Sequence, residues 1–395
     1  MKNPQQSWAY LDNNATTRPA GRVIEAMLPF YSDQFANASS MHGLGTESAD
    51  AVRTARSQVR AFLGAERDSE ILFTSGGSES NNTAIFSALD SQAGRNEIIT
   101  SVVEHPAVLA VCAHLERIGR AKIHRIPVDR AGNLSLDAYR AALNQRTALV
   151  TMQWANNETG VIFPVELLAS MAHGAGALFH CDAVQAAGRI ALNIAQTEID
   201  MLSLSAHKMH GPKGIGALYL RHGMRVTPLI HGGRQERGRR AGTENTPAIV
   251  GFGVAAEMAM LTMTQQMQRV AELRDCLKSE LLQQIPGAMV IGDGLNMLPN
   301  TLNMAFADVE ADEILLMLDK ERIAASSGSA CSAGSMEASH VLRAMKVPFS
   351  HLRGSIRFSL SRESTMDEIN RVVTALPRIV EEVRSASMPL EVACD

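Results

Sequence analysis

Short apolar runs separated by polar turns recur along the first two thirds of the chain. Ile71-Leu-Phe73, Ile98 to Val103, Ala148 to Trp154, Ala177 to Cys181 and Met201 to Leu204 each read as a buried strand, too short and too uniformly apolar for a helix. Between them the period changes. Thr46 to Leu63 sets Val52, Ala55, Val59 and Phe62 three or four positions apart, the mark of one apolar helical face. A second helical run, through Asn82, Ile85, Phe86 and Leu89, follows the break at Thr74-Ser-Gly-Gly-Ser-Glu79. Strands alternating with helices at this spacing predict an α/β fold with a mostly parallel, doubly wound sheet and right-handed crossovers. From Thr246 to about Gln284 the alternation gives way to one long helix rich in Met, Ala and Leu, and that change places a domain boundary near residue 260. Beyond it, Ile314 to Leu318 is a helical apolar run, while Ile323 to Ala325 and Ser355 to Leu360 read as strands. At the other end, Leu11-Asp-Asn-Asn-Ala-Thr-Thr17 reads as a surface turn and helix cap ahead of Pro19.

Composition narrows the function classes. A chain of 395 residues with 46% hydrophobic and 20% charged residues has the make-up of an enzyme-sized globular protein. Its net charge of −4 argues against nucleic acid or an anionic membrane as the main partner. The cysteines (Cys112, Cys181, Cys276, Cys331 and Cys394) are odd in number and contain no CxxC pair, which disfavours a disulfide framework or a tetrahedral zinc site and suits a reducing cytoplasm. The sequence shows no run of about eighteen apolar residues and no signal-peptide pattern, so a soluble cytoplasmic protein is expected.

The chemistry gathers where strands end. In a parallel sheet the carboxyl ends of the strands share one edge, and ligands bind there. That edge is expected to collect Ser78, His105, Asn157, Asp182, Gln185, Ser205, His207 and Lys208. Taken singly, each has an ordinary explanation: Lys208 a solvated lysine in a Gly-Pro loop, His105 a capping histidine, the Ser-Gly-Gly-Ser turn a plain helix start. Together they form a set. A turn opening a helix can cradle a phosphate, and a lysine depressed by burial or neighbouring cations is a nucleophile toward carbonyls. A phosphate cradle, an acid, a ring-stacking histidine and such a lysine suit pyridoxal phosphate, with Lys208 as its Schiff-base lysine, Asp182 at the pyridine nitrogen and Gln185 at the ring hydroxyl. Ser78, Ser205 and His207 would take the phosphate. A competing metal reading on His180, Asp182, His207 and His210 matches no standard zinc spacing.

Two later stretches add candidates. His231 to Asn245 is a basic, glycine-broken loop without aromatics; it reads as a solvated loop, or as a contact across a dimer in which Thr243 completes the neighbouring phosphate site. Ser326-Ser-Gly-Ser-Ala-Cys331-Ser-Ala-Gly-Ser335 leaves one cysteine among small residues, a candidate nucleophile beside the plainer reading of an incidental turn cysteine. Arg357, in the strand that follows, could grip a carboxylate or make an ordinary ion pair.

Ten ordered motifs, among them LDNNATT (11–17), FTSGGSES (73–80), VVEHPAV (102–108), WANNETG (154–160), HCDAVQAAG (180–188), SLSAHKMHGPKG (203–214), GGRQERGRRAGTEN (232–245) and SSGSAC (326–331), resemble the cysteine desulfurases of the NifS/IscS type, within the class V aminotransferase group. The loop at 232–245 and the surroundings of Cys331 are closest to the nitrogen-fixation branch. The resemblance implies a fold-type I pyridoxal phosphate homodimer: a large cofactor domain (16–259), and a smaller α/β domain (1–15 and 260–395) carrying the cysteine loop at about 326–336. Lys208, Cys331 and His105 would be catalytic. Gly77, Ser78, Asn157, Asp182, Gln185, Ser205, Ala206, His207 and Thr243 of the partner subunit would line the cofactor, and Asn157 and Arg357 would bind the substrate carboxylate. L-cysteine would yield alanine and a persulfide on Cys331, whose sulfur passes to an iron–sulfur scaffold of the NifU/IscU type, with Cys331 a transient iron–sulfur ligand. Two departures from the family pattern are Gly77-Ser78, which keeps a hydroxyl, and Ala338-Ser339 after the cysteine loop. Rival readings are a housekeeping desulfurase, a selenocysteine lyase, another class V aminotransferase, or a non-catalytic sulfur carrier.

Overall fold

The computed structural model describes residues 7–292, 294, 296–327 and 338–387; Cys331 and Cys394 lie outside the described residues. In chain order the strands are β1 (Ala9–Tyr10), β2 (Ile71–Thr74), β3 (Glu97–Ser101), β4 (Lys122–Ile126), β5 (Thr147–Gln153), β6 (Leu178–Asp182), β7 (Met201–Ser205), β8 (Gly216–Leu220), β9 (Ala288–Ile291), β10 (Thr301–Phe306), β11 (Ile323–Ala324) and β12 (Ser355–Ser359). The helices are α1 (Gly21–Met27), α2 (Gly43–Leu63), α3 (Gly77–Ser91), α4 (Pro106–Arg117), α5 (Leu136–Ala142), α6 (Val165–Gly174), α7 (Thr246–Gln284), α8 (Ala311–Lys320), α9 (His340–Ala344), α10 (Phe349–Leu352) and α11 (Met366–Ser387).

Among the described residues the central sheet has seven strands in the order β2-β8-β7-β6-β5-β3-β4. Only β8 runs against its neighbours, so the sheet is mostly parallel, as the alternation of strands and helices predicts. Every residue of β5 and of β7 is buried. Strands covered by helices on both faces must be apolar on both, which is why these runs carry no in–out alternation. β12, β10 and β9 form a second, antiparallel sheet, and β1 pairs with β11 in parallel.

One apolar cluster joins the central sheet to α2 and to Ile249, Phe252 and Ala256 of α7; another joins Val270, Leu273, Leu277 and Leu281 of α7 to the antiparallel sheet, α8 and α11. The long helix therefore belongs to both cores. It is also long and apolar enough by composition to cross a bilayer; half of its most apolar window is buried inside the protein, and the helix as a whole packs on α1, α2 and α11.

The expected surface turn at residues 11–17 is instead an interior element. Asn13, Asn14 and Thr17 are buried. Their side chains are the reason: Asn14 Nδ2 donates to Asn157 O (3.0 Å) and Thr301 Oγ1 (2.9 Å), Asn13 Nδ2 to Ser359 O (2.9 Å), and Thr17 Oγ1 to His207 O (3.0 Å). Polar residues that satisfy each other and the surrounding backbone can be buried without an outstanding desolvation cost. The segment thus bridges the two sheets.

One close approach fixes the sheet edge above the site. Gly216 faces Ser205 on β7 and Thr74 on β2, and a Cβ there would lie 2.5 Å from Leu204 O and 2.7 Å from Gly76 Cα. Both obstacles are backbone. Gly216→Ala is expected to lower unfolding stability by about 1–3 kcal/mol, the usual cost of overpacking, seen as a lower denaturant midpoint with unchanged slope; an unchanged midpoint would show that the edge can spread.

Candidate active site

Lys208 ends a short turn, Ala206–Lys208, directly after β7. Its Nζ donates to Asn14 O and Ala15 O, each at 2.7 Å. Around it opens a cavity of about 340 Å³, a size suited to a small cofactor with substrate. Gly77, Ser78, His105, Asn157, Asp182, Gln185, Ser205, His207, Lys208 and Arg357 all line it. The strand-end residues do converge. Of the other expected site residues, Ala206 is buried beneath the turn without lining the cavity, Thr243 is exposed away from it within the same chain, and Cys331 lies outside the described residues.

Each side chain is fixed by local structure. α3 begins at Gly77 with no side-chain cap, and Gly77 and Ser78 line the cavity at the positive end of the helix dipole. Gly77 lies tight against β6's exit: a Cβ there would be 2.8 Å from Val184 Cγ2. Asp182 closes β6, its carboxylate accepting from Asn81 Nδ2 (2.7 Å) and Val184 N–H (3.0 Å). His105 caps α4 through Nδ1, which accepts from Ala107 N–H (3.1 Å), so a neutral ring carries its proton on Nε2. Burial lowers its pKa, against the pull of Asp182 and with the help of Lys208. His207 is driven down to about 4 by burial and then by Lys208, Lys213 and Arg189, so it is neutral at pH 7. Gln185 Nε2 donates to Asn14 O (3.1 Å).

Arg357 makes the ion pair that was one of its two open readings, and it also lines the cavity. Its Nη2 pairs with Asp12 Oδ1 (2.7 Å) and Nη1 donates to Asn157 O (3.0 Å), while its buried Nε has no partner among the described residues. The metal reading finds no support: His180 Nδ1 and Nε2 are engaged by Thr151 Oγ1 (2.8 Å) and Ser203 Oγ (2.9 Å), and no group of three or more ligand side chains occurs among the described residues. Nor is the 232–245 loop simply solvated. Glu236 is buried against Arg56 and the Phe73 N–H, and Arg240 pairs with Glu79 of α3's first turn (3.0 Å).

Sequence reasoning missed several residues that build this site. Asn14 and Ala15 hold the lysine through backbone oxygens, which no side-chain pattern announces. Asn81 is a buried amide in the first turns of α3, next to the strand-end turn, a signal that could have marked it as a partner for Asp182. Glu104 and Glu158, adjacent to His105 and Asn157, are buried acids. Burial lifts the Glu104 carboxyl well above the usual range, with Asp182's charge adding to the effect.

The fold and this lysine-bearing edge define a pyridoxal phosphate enzyme of fold type I, and comparison with known proteins fixes the family. The pattern described as Aminotransferase class-V matches residues 9–372, so the chain belongs to the class V aminotransferases, which are pyridoxal phosphate enzymes. Its curated relatives include "Cysteine desulfurase" of Gluconacetobacter diazotrophicus, 59% identical over 378 residues (96% of this chain, 94% of that one), and "Cysteine desulfurase NifS" of Azotobacter vinelandii, 52% identical over 378 residues with the same coverage. Among solved structures, a "NIFS-LIKE PROTEIN" superposes with TM-score 0.89 at 36% identity, covering 95% of this chain and 100% of that one. "SspA in complex with cysteine" matches with TM-score 0.78 at 36% identity, over 90% and 99% of the two chains.

Glu158 gives the site a measurable pH dependence. Burial raises its pKa to about 7, against the donation from Ser339 Oγ (2.6 Å) and the charge of Arg357. The folded chain therefore binds more protons here than the unfolded chain between pH 4.5 and about 7. Stability must fall as pH rises through that window, by on the order of 3 kcal/mol in all. Glu158→Gln should remove this component, so the stability difference between the variant and the native chain should grow from pH 5 to pH 8 in denaturant titrations. Parallel profiles would mean Glu158 titrates normally.

Proposed function

We propose that the chain is a cysteine desulfurase that converts L-cysteine to L-alanine and collects the sulfur as a persulfide on Cys331. The observation that carries this reading is the Lys208 amine in a cavity that also holds an uncapped helix start and a buried carboxylate. The residues fit the cofactor. The turn at Gly77 and Ser78 with Ser205 and His207 would hold its phosphate, Asp182 its ring nitrogen, Gln185 its ring oxygen, and Lys208 its aldehyde carbon. When bound, pyridoxal phosphate acts as an electron sink that weakens bonds next to the amino-bearing carbon of a substrate.

The chain's own residues do the rest. Arg357 and Asn157, which both line the cavity, would take the substrate carboxylate. Lys208 Nζ would move the proton at the substrate's Cα, and His105 Nε2 would exchange a proton with the substrate sulfur. The Cys331 thiolate attacks that sulfur, forming a sulfur–sulfur bond as the carbon–sulfur bond breaks; the electron pair left on carbon takes up a proton to give alanine. Cysteine and enzyme thiol thereby become alanine and enzyme persulfide, with no outside oxidant. Support for Cys331 comes from the described residues on either side of it. Ser326 is bonded to the Arg357 backbone (2.6 and 3.2 Å), while Ser339 bonds Glu158 and His340 Nε2 meets Glu104 O (3.0 Å).

A homodimer fits the exposure of Leu28, Tyr31, Phe35 and Met41 in one short stretch, Met41 being 99% exposed; a second copy would cover them and bring Thr243 of the partner subunit to the phosphate. The two apolar cores of α7 support a large cofactor domain (16–259) and a smaller one (1–15 and 260–395). We infer a cytoplasmic enzyme that passes sulfur to an iron–sulfur scaffold, in keeping with relatives named for nitrogen fixation.

Incubation with L-cysteine should release alanine, with a sulfur adduct of +32 Da on the peptide containing Cys331. Cys331→Ala should keep the visible cofactor band and end alanine release, a loss of at least about 10³-fold in turnover; undiminished turnover would reject the assignment. Lys208→Ala should abolish turnover, and a variant that still works would remove Lys208 from the mechanism.

A further inference from the structure

Arg189 is 5% exposed, and among the described residues no carboxylate is bonded to it. A buried guanidinium without an acid partner is costly, and burial pulls its pKa down to about 9, helped by the charge of Arg357. What it does instead is donate to oxygens. Nη1 reaches Gln185 O (2.7 Å) and Gln185 Oε1 (2.5 Å), and Nη2 reaches Asn13 O (3.2 Å). Those contacts fall on the two elements that meet the cavity from this side: the Gln185 side chain and the 11–17 segment.

The bonds have directional consequences. Because Arg189 has only donors, Gln185 must present Oε1 to it, which turns Nε2 the other way. One Nε2 hydrogen goes to Asn14 O, leaving the second for the cavity that Gln185 lines. Asn14 O in turn accepts from Lys208 Nζ. Arg189 therefore sits one hydrogen bond behind the group at the ring oxygen and three behind the lysine. Its positive charge also reaches His207 and His210, both held neutral in part by it.

We propose that Arg189 is a positioning residue of the cofactor site: its fork fixes the Gln185 amide with the donor face inward and clamps the 11–17 backbone whose carbonyls hold Lys208. This rests on the pyridoxal phosphate reading above. A lysine at this position would keep the charge but, as a single point donor, could not serve the Gln185 and Asn13 oxygens together in the same geometry.

The test measures pyridoxal phosphate dissociation from purified protein by its visible band, beside the pH titration of that band and a denaturant unfolding curve. Arg189→Lys should bind the cofactor about ten- to a hundredfold more weakly, with a native-like unfolding curve. Arg189→Met should weaken it at least as much and raise the pH midpoint of the band, since a cation behind the lysine is gone. Adding Arg189→Lys to Gln185→Ala should cost less than Arg189→Lys costs in the native chain, because one arm of the fork acts through the Gln185 amide while the other, on Asn13 O, does not. Losses that simply add in the double variant, or variants binding as tightly as the native chain with its pH midpoint, would overturn the proposal. A native chain that forms no visible band with pyridoxal phosphate would overturn the cofactor reading and this proposal with it; a native band with unaltered variants overturns this proposal alone.

Discussion

A primary amine at the end of a buried strand has to be given oxygens, and everything about this site follows from where those oxygens come from. Lys208 receives the carbonyls of Asn14 and Ala15, two backbone groups from the other end of the chain. For those carbonyls to stay in place the 11–17 segment must be rigid, and its rigidity is distributed: Asn14 is tied to Asn157, Thr301 and Asn300, Asn13 to Ser359, Thr17 to the turn that carries Lys208 itself. The antiparallel sheet is thus coupled to the lysine through the side chains of two asparagines. A displacement of β10 or β12 would be felt at Nζ.

The same closure sets the protonation states. Removing water from the edge of the sheet disfavours charge on every group that lacks a committed partner. His180, His207 and His210 are pushed to about 3, 4 and 4, while Glu104 and Glu158 are pushed up. At the end of β6, two N–H groups are aimed at the Asp182 carboxylate. Glu104 and Glu158 each accept from a serine hydroxyl, at 2.6 Å, whereas the Asp182 carboxylate is held by an amide and a backbone N–H at the place where a protonated ring nitrogen would sit.

Much of this was legible in the chain because parallel topology does the gathering: residues at the carboxyl ends of strands must share an edge, so Ser78, His105, Asp182 and Lys208 could be grouped without knowing the strand order. Strand limits were read to within a residue or two, since runs buried on both faces start and stop abruptly. What was not legible depends on contacts between distant segments. LDNNATT is polar, and polarity on a turn normally means solvent; only its partners on β10, β12 and the Lys208 turn make it interior. The arginine loop failed for the same reason, because a carboxylate at Glu236 within a basic run is read as solvated until Arg56, on a helix far away in sequence, is seen across from it.

Arg357 shows how a single strand position can serve structure and chemistry at once. Its ion pair with Asp12 and its bond to Asn157 O hold the guanidinium plane, and two of its nitrogens are thereby committed. Committing them costs the arginine its freedom to choose another geometry and fixes its guanidinium at the cavity wall. A carboxylate arriving there would find a guanidinium whose rotamer entropy has already been lost on folding, and the Asp12 charge that fixes it also tempers its attraction for anions. Such an arrangement favours orientation of a small amino acid over tight binding of it, which suits a site that must release its carboxylate-bearing product after each sulfur is taken.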